Sequence, residues 1–270
     1  MTATPNILYI SHGGGPLPLL GDPDHSELVT QLRGLGERLP RPSAIVVVSA
    51  HWEEQAPTVT SGAQPSLIYD YYGFPPESYE IQYPSPGAPA LAAQVHQALG
   101  QAGLEAVQDS ERGFDHGLFV PLKLMFPAAD IPCIQLSLLK SLDPAAHIAL
   151  GQALQSLEWE NLLVIGSGFS FHNMRAFFEP ATAQSDARNK AFEDWLTETL
   201  SNPALSEAER AQRLVNWSDA PEARYCHPRE EHLLPLHACY GLAQRPADEQ
   251  ESIRVLGKRA GMFYWRGYQD

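Results

Sequence analysis

Apolar positions along the chain fall into two rhythms. Short unbroken runs, Asn6–Ile10, Ala44–Ser49, Ile131–Ser137 and Leu162–Gly166, are rich in β-branched residues. Runs of that length without polar interruption predict strands covered on both faces. Ser252–Leu256 and Met262–Trp265 predict two edge strands near the end. Between these runs, helical spacing predicts helices over Ala88–Gln101, Ala145–Leu157, Ala187–Leu200 and Glu207–Trp217, and a short helical run over Val120–Phe126. Glu231–Leu242 predicts another helix, disturbed in its first turn by Pro235. Strands alternating with helices predict an α/β fold: a single three-layer domain over residues 1–270, with a mostly parallel central sheet and helices on both faces. One stretch breaks the rhythm. Tyr69–Pro89 mixes prolines, glycines and aromatics, which predicts an ordered irregular loop, a lid or binding wall.

Composition narrows the function. Of 270 residues, 44% are hydrophobic, enough for a sizeable core, and the net charge is −14. That sign repels phosphate backbones and anionic headgroups, so nucleic acid and membrane surfaces are excluded as partners. No apolar stretch approaches the ~20 residues of a membrane span, and Met1–Ile10 has no basic region ahead of its apolar run. The three cysteines, Cys133, Cys226 and Cys239, form no CxxC and are odd in number, which predicts reduced thiols and a cytoplasmic protein.

Ten histidines stand out. His12 follows the first strand and precedes Gly13-Gly14-Gly15. His51 follows the second, and His172 lies shortly past Leu162–Gly166. Parallel strands would bring these three imidazoles to one edge of the sheet, where α/β proteins bind ligands, as a metal site. His116, between Asp115 and Gly117, reads as an exposed proton acceptor whose tautomer Asp115 biases, or else as the start of a helix that Asp115 caps. His232 is expected in the first turn of a helix opened by Pro228, where the dipole keeps imidazole neutral and able to ligate. His96 and His147 fall on helical patterns and are expected at the surface; His25 and His237 carry no assignment. No HExxH, GxSxG, Walker loop or GxGxxG occurs.

Taken in order, Ser11-His12-Gly13-Gly14-Gly15-Pro16, Val48-Ser49-Ala50-His51-Trp52, Tyr72-Gly73-Phe74-Pro75 to Tyr83-Pro84-Ser85-Pro86-Gly87, Gly113-Phe114-Asp115-His116-Gly117, Gly166-Ser167-Gly168-Phe169-Ser170-Phe171-His172-Asn173 and His227-Pro228-Arg229-Glu230-Glu231-His232 resemble the class III extradiol ring-cleavage dioxygenases. The nearest branch is the DOPA-dioxygenase type, which is LigB-like. The resemblance runs over nearly the whole chain. It implies a metal-dependent oxidoreductase of aromatic-compound catabolism that opens a catechol-type ring beside its vicinal diol with O2. It implies one divalent ion, Fe(II) for activity with Zn(II) possible, held by His12, His51 and His172. His232 would be a fourth ligand or close neighbour, and His116 the acid/base group. Ring-cleaving relatives of the wider class use two histidines and a carboxylate, which Glu230 or Glu231 would supply. Tyr72, Phe74 and Phe171, with Tyr71 and Phe169 beside them, are candidates to wall the aromatic ring. Arg175 and Arg229 are candidates to bind a substrate carboxylate. An all-histidine set favours zinc, so a zinc hydrolase or a non-catalytic metal-binding protein is the alternative.

Overall fold

A computed structural model describes residues 4–267. Its strands are β1 (Asn6–Ser11), β2 (Ala44–Glu54), β3 (Thr58–Thr60), β4 (Val107–Asp109), β5 (Cys133–Leu139), β6 (Leu162–Gly168), β7 (Glu249–Val255) and β8 (Lys258–Trp265). The helices are α1 (Ser26–Arg38), α2 (Pro89–Gln101), α3 (His116–Met125), α4 (Pro144–Ala153), α5 (Met174–Phe178), α6 (Ala183–Ser201), α7 (Glu207–Val215), α8 (Ala223–Cys226) and α9 (Leu234–Ala243). All eight strands join one sheet in the order β4-β3-β5-β2-β6-β1-β8-β7. β1, β2, β5 and β6 run parallel at its centre, while β8 pairs antiparallel with β1 and closes a hairpin with β7.

The central strands are buried almost throughout because helices cover both faces: α1 and α3 on one, α2, α4 and α9 on the other. Register then sets the height of the site. Ser11 of β1 is level with Gly168 of β6, and Ser49 of β2 with Ser167. His12 therefore leaves the sheet just past Ser11 at the carboxyl edge, level with the part of β2 that follows Ser49; His51, expected past the end of that strand, lies within it. Beyond Val48 the pairing of β2 with β5 shifts register before resuming at Glu53. His51 lies in this bulged stretch, where local twist re-aims a side chain.

Several elements depart from the expected pattern. α1 was not anticipated, although Leu28, Leu32 and Leu35 mark a buried stripe at helical spacing. The short strands β3 and β4 and helix α5 lack a sequence signal of their own. The helix expected from Pro228 does not form. α9 begins at Leu234, with Pro235 in its first turn, where a missing N–H costs nothing. The Tyr69–Pro89 stretch is an irregular loop, as its composition predicted. A 3-10 turn at Pro76–Tyr79 and a bridge from Gly87 to Cys133 interrupt it before α2 begins at Pro89; Tyr69, Tyr71 and Tyr79 pack on one another, and Tyr69 and Tyr71 on Phe119 of α3.

Candidate metal centre and active site

Five imidazoles converge at the carboxyl edge of the sheet. His12, His51 and His232 form a nearly equilateral triangle, with ring centroids 4.7, 5.0 and 5.2 Å apart. The Nε2 atoms of His12 and His51 approach to 3.0 Å. His116 lies 3.9 Å from the ring of His51 and 5.3 Å from that of His12. His172 stacks flat on His232 at 3.4 Å. Ligating atoms of His12, His51 and His116 all lie within 4.8 Å of one another, as do those of His172, Glu231 and His232.

Backbone placement explains the convergence. The His12 N–H donates to the Gly168 carbonyl (3.1 Å), locking the turn after β1 to the end of β6. His25, unassigned from the pattern, secures the glycine turn: its Nε2 accepts the Gly14 N–H at 2.9 Å while Asp22 lies 2.6 Å from Nδ1. The His232 carbonyl accepts from the Phe169 N–H (3.0 Å) and the buried Tyr9 hydroxyl (2.9 Å). That approach requires a residue without Cβ at 168, because a Cβ there would overlap the His232 carbonyl oxygen.

Hydrogen bonds decide which ring nitrogens carry lone pairs. The Ser167 hydroxyl donates to the Gly117 carbonyl at 2.5 Å, so toward His12 Nδ1, 3.0 Å away, it only accepts. His12 is therefore protonated on Nδ1, and its Nε2 is bare. Glu231 Oε1 lies 2.9 Å from the Nδ1 atoms of both His172 and His232, and a carboxylate accepts only. Asp70 Oδ1 does the same for His116 Nδ1 at 2.8 Å. His12, His116, His172 and His232 thus use Nδ1 on partners within the chain, the usual arrangement behind metal-ligating histidines, and the Nε2 atoms of His12 and His51 face each other. The 3.0 Å contact sets the bare His12 Nε2 against a proton on His51 Nε2, which a bound ion would displace.

Electrostatics keep His12, His51 and His232 neutral. Burial, then the neighbouring imidazoles, hold His12 and His51 well below the usual histidine range. Burial and His172 push His232 down to about 4 despite Glu231. Burial opposes ionisation of Glu231, but the bonds from His172 and His232 outweigh it and hold the carboxyl well below its ordinary value. Asp70 follows the same logic: burial raises it, and the stronger effect of His116 leaves it lowered. The residues fit a divalent cation: His12, His116, His172 and His232 bond through Nδ1 and keep Nε2 for a ligand, and ionised Asp70 and Glu231 back them.

Several expectations are revised by these positions. His232 precedes α9 rather than lying in a first helical turn, so burial and His172, not a helix dipole, account for its low affinity for protons. His116 is 4% exposed, not open to solvent. Asp115 caps α3, accepting the Gly117 N–H at 3.0 Å, and binds Ser49 and Arg112. The carboxylate bonded to His116 Nδ1 is Asp70, on the aromatic loop, and sequence spacing carried no signal for it. Glu231 holds the back of two imidazoles, while Glu230 pairs outward with Arg224 at 2.7 Å. His147, expected at the surface, is buried: its Nε2 accepts the Leu139 N–H at 3.0 Å, a bond that ties α4 to the end of β5. His96 is half-buried, its Nε2 3.1 Å from the Ala106 carbonyl. Arg229 is held by Glu53 at 2.6 and 2.7 Å, and Arg175 by Glu179 at 2.8 Å. Among the candidate ring-wall residues, Phe74 packs on Tyr71 and close to Gly15. Tyr72 is 91% exposed, and Phe171 is fully buried against Phe177 and Tyr225.

An imidazole-rich cluster able to hold a metal ion, at the carboxyl edge of an α/β sheet, is therefore what the fold and the site define. The family described as the catalytic LigB subunit of aromatic ring-opening dioxygenase matches residues 7–266. The chain belongs to this family, and is a dioxygenase of it. It is 41% identical to dioxygenase tasH of Hapsidospora irregularis over 97% of this chain and 85% of that one. It is 37% identical to 4,5-DOPA dioxygenase extradiol of Beta vulgaris (87% and 85% covered), and 36% to the Escherichia coli K12 protein of the same description (94% and 90%). A crystal structure of an uncharacterized Escherichia coli K12 protein superposes with a TM-score of 0.74 at 30% identity, covering 96% of this chain and 98% of that one. Among the described residues, no helix is long and apolar enough to cross a membrane.

Proposed function

We propose that residues 1–270 form one catalytic unit that opens the ring of a catechol-type substrate beside its vicinal diol with O2, as a cytoplasmic extradiol dioxygenase. The observation that supports this most directly is the triangle of His12, His51 and His232. Three imidazoles on one side of an ion leave its other positions open, as two diol oxygens and O2 require. His172 and His232 exchange the places the resemblance implied: His232 closes the triangle, and His172, expected among the three ligands, stacks on it as fourth ligand or as its support. A bound Fe(II) would hold both diol oxygens and supply the redox chemistry with O2; Zn(II) suits the same nitrogens but has no redox chemistry.

The chain's own groups do the rest. His116 takes a hydroxyl proton on its bare Nε2 and returns it as the ring opens, help typically worth ~10²–10⁴-fold in rate. The Asp70 bond to Nδ1 leaves Nε2 as the nitrogen that faces a substrate proton. Phe74 and Tyr72 on the aromatic loop line the approach of the substrate ring, and Phe171 backs the segment that carries His172.

Reconstitution with Fe(II) without air, addition of a panel of catechols and admission of O2 tests the reading. Oxygen uptake with a coloured ring-opened product is expected, and His116→Ala should slow turnover with the metal content unchanged. No uptake with any vicinal diol would refute it. A second reading, a zinc hydrolase or a non-catalytic zinc protein, draws on one observation: Glu231 is engaged by Nδ1 atoms, so the front of the site is all imidazole. Ester hydrolysis by the zinc form without O2 would favour the hydrolase.

A further inference from the structure

We propose that Asp70 is a positioning residue for the acid/base histidine: from the aromatic loop, its carboxylate sets the orientation and tautomer of the His116 ring. This rests on reading His116 as the proton-transfer group. One oxygen, Asp70 Oδ1, accepts both the His116 backbone N–H (3.0 Å) and its ring Nδ1–H (2.8 Å). His116 is the first residue of α3, so its backbone N–H has no partner within the helix. The N-cap Asp115 accepts the next N–H, that of Gly117, and leaves this one to Asp70. Gripped at two points, the ring keeps Nδ1 protonated, and Nε2 remains the only site for a substrate proton.

The loop that carries Asp70 is itself braced. The Tyr71 hydroxyl donates to the Ser78 carbonyl at 2.5 Å, and its ring stands edge-on to His116 at 5.7 Å. Tyr69 next to it donates to the Ile81 carbonyl at 2.6 Å and packs on Phe119. The aromatic packing of a segment without regular structure is thereby converted into the angle of one imidazole. The second Asp70 oxygen lies 3.7 Å from His51 Nδ1, outside hydrogen-bond range, so the carboxylate is committed to His116.

Asp70→Ala, Asp70→Leu and Asp70→Asn test this beside His116→Ala and the Asp70→Ala/His116→Ala double variant. Nitrogen-15 NMR of the metal-free protein reads the tautomer without turnover: wild type should show His116 protonated on Nδ1 alone, and Asp70→Ala a mixture. With Fe(II) and a catechol that the wild type turns over, Asp70→Ala should lose ~10–100-fold in kcat, the range for partners that orient an active group. KM and metal content should hold. Asp70→Asn, whose amide oxygen still accepts, should restore the tautomer and part of kcat. Asp70→Ala should add nothing to His116→Ala. Asp70→Leu, closer to the native volume, replaces Ala if that variant does not fold. A wild-type tautomer and kcat in the acceptor-free variant, with His116→Ala slow, would overturn the proposal. So would metal loss in step with turnover, which would assign Asp70 to His51 instead. If His116→Ala turns over at the wild-type rate, the acid/base reading fails, while the tautomer measurement still decides what Asp70 does to the ring.

Discussion

Gly168→Ala puts the smallest possible group at the tightest backbone approach in the site. An added Cβ would lie far closer than 3.0 Å to the His232 carbonyl oxygen, and both sides of the contact are backbone, with no flexible side chain to yield. The carbonyl must retreat by about an ångström, and overpacking of this kind costs about 1–3 kcal/mol. The same movement stretches the bonds from the Phe169 N–H (3.0 Å) and the Tyr9 hydroxyl (2.9 Å) beyond useful length. Two buried hydrogen bonds add roughly 2 kcal/mol, for a total loss of about 3–5 kcal/mol. At roughly 2–4 °C per kcal/mol for a domain of this size, the melting temperature should fall by about 10 °C. His232 moves with its carbonyl, so metal affinity should fall as well, by ~10-fold or more as for a disturbed supporting group. Thermal melts and a metal titration of both proteins measure the two effects. A variant that melts within a degree or two of wild type and binds metal equally well would refute the reasoning.

Glu231→Gln removes the charge behind His172 and His232, and should weaken metal binding ~10–100-fold while the fold survives, read by competition with a chelating dye. His237, away from the site, is held down to about 4 by burial, below the ordinary 6.5 of an unfolded chain. Because the unfolded state then binds more protons, the contribution is complete above pH 6.5 and is lost as pH falls toward 4. It amounts to roughly 3 kcal/mol, and urea midpoints of His237→Gln should show a shallower decline across that window. Arg210 is fully buried and donates to the carbonyls of Thr199, Asn202 and Leu205 where α6 ends. Arg210→Met should cost about 3 kcal/mol or more by leaving these acceptors dry, and limited proteolysis should then cut between α6 and α7.

The parts of the fold carried by local pattern were legible. β1, β2, β5 and β6 are built on mostly apolar runs that match their burial on both faces, and the histidines past β1 and β6 and in the last part of β2 pointed to the edge where they meet. What could not be read was partnership across the chain. Asp70 is 46 residues from His116 and lies in a segment without periodicity, so no spacing links them. Ser167 fixes the His12 tautomer from a different strand, 155 residues away. His232 was expected on a helix because Pro228 suits a first turn. Tertiary contact instead holds its carbonyl against β6 and delays the helix to Leu234. His147 has a helical setting that says surface, yet it is buried against the neighbouring strand, and only the packing reveals that.

Because the proposed ligands, residues 12, 51 and 232, are separated by most of the chain, ion capture by them would report on completed folding rather than on any local segment. During synthesis, a ribosome would have to release the chain past His232 before the cation has anywhere to settle. Loading therefore comes late. Once captured, the cation adds stability by mass action, about 4 kcal/mol at a thousandfold excess over its dissociation constant, so a chelator should destabilise the tertiary structure as a whole and not one corner of it.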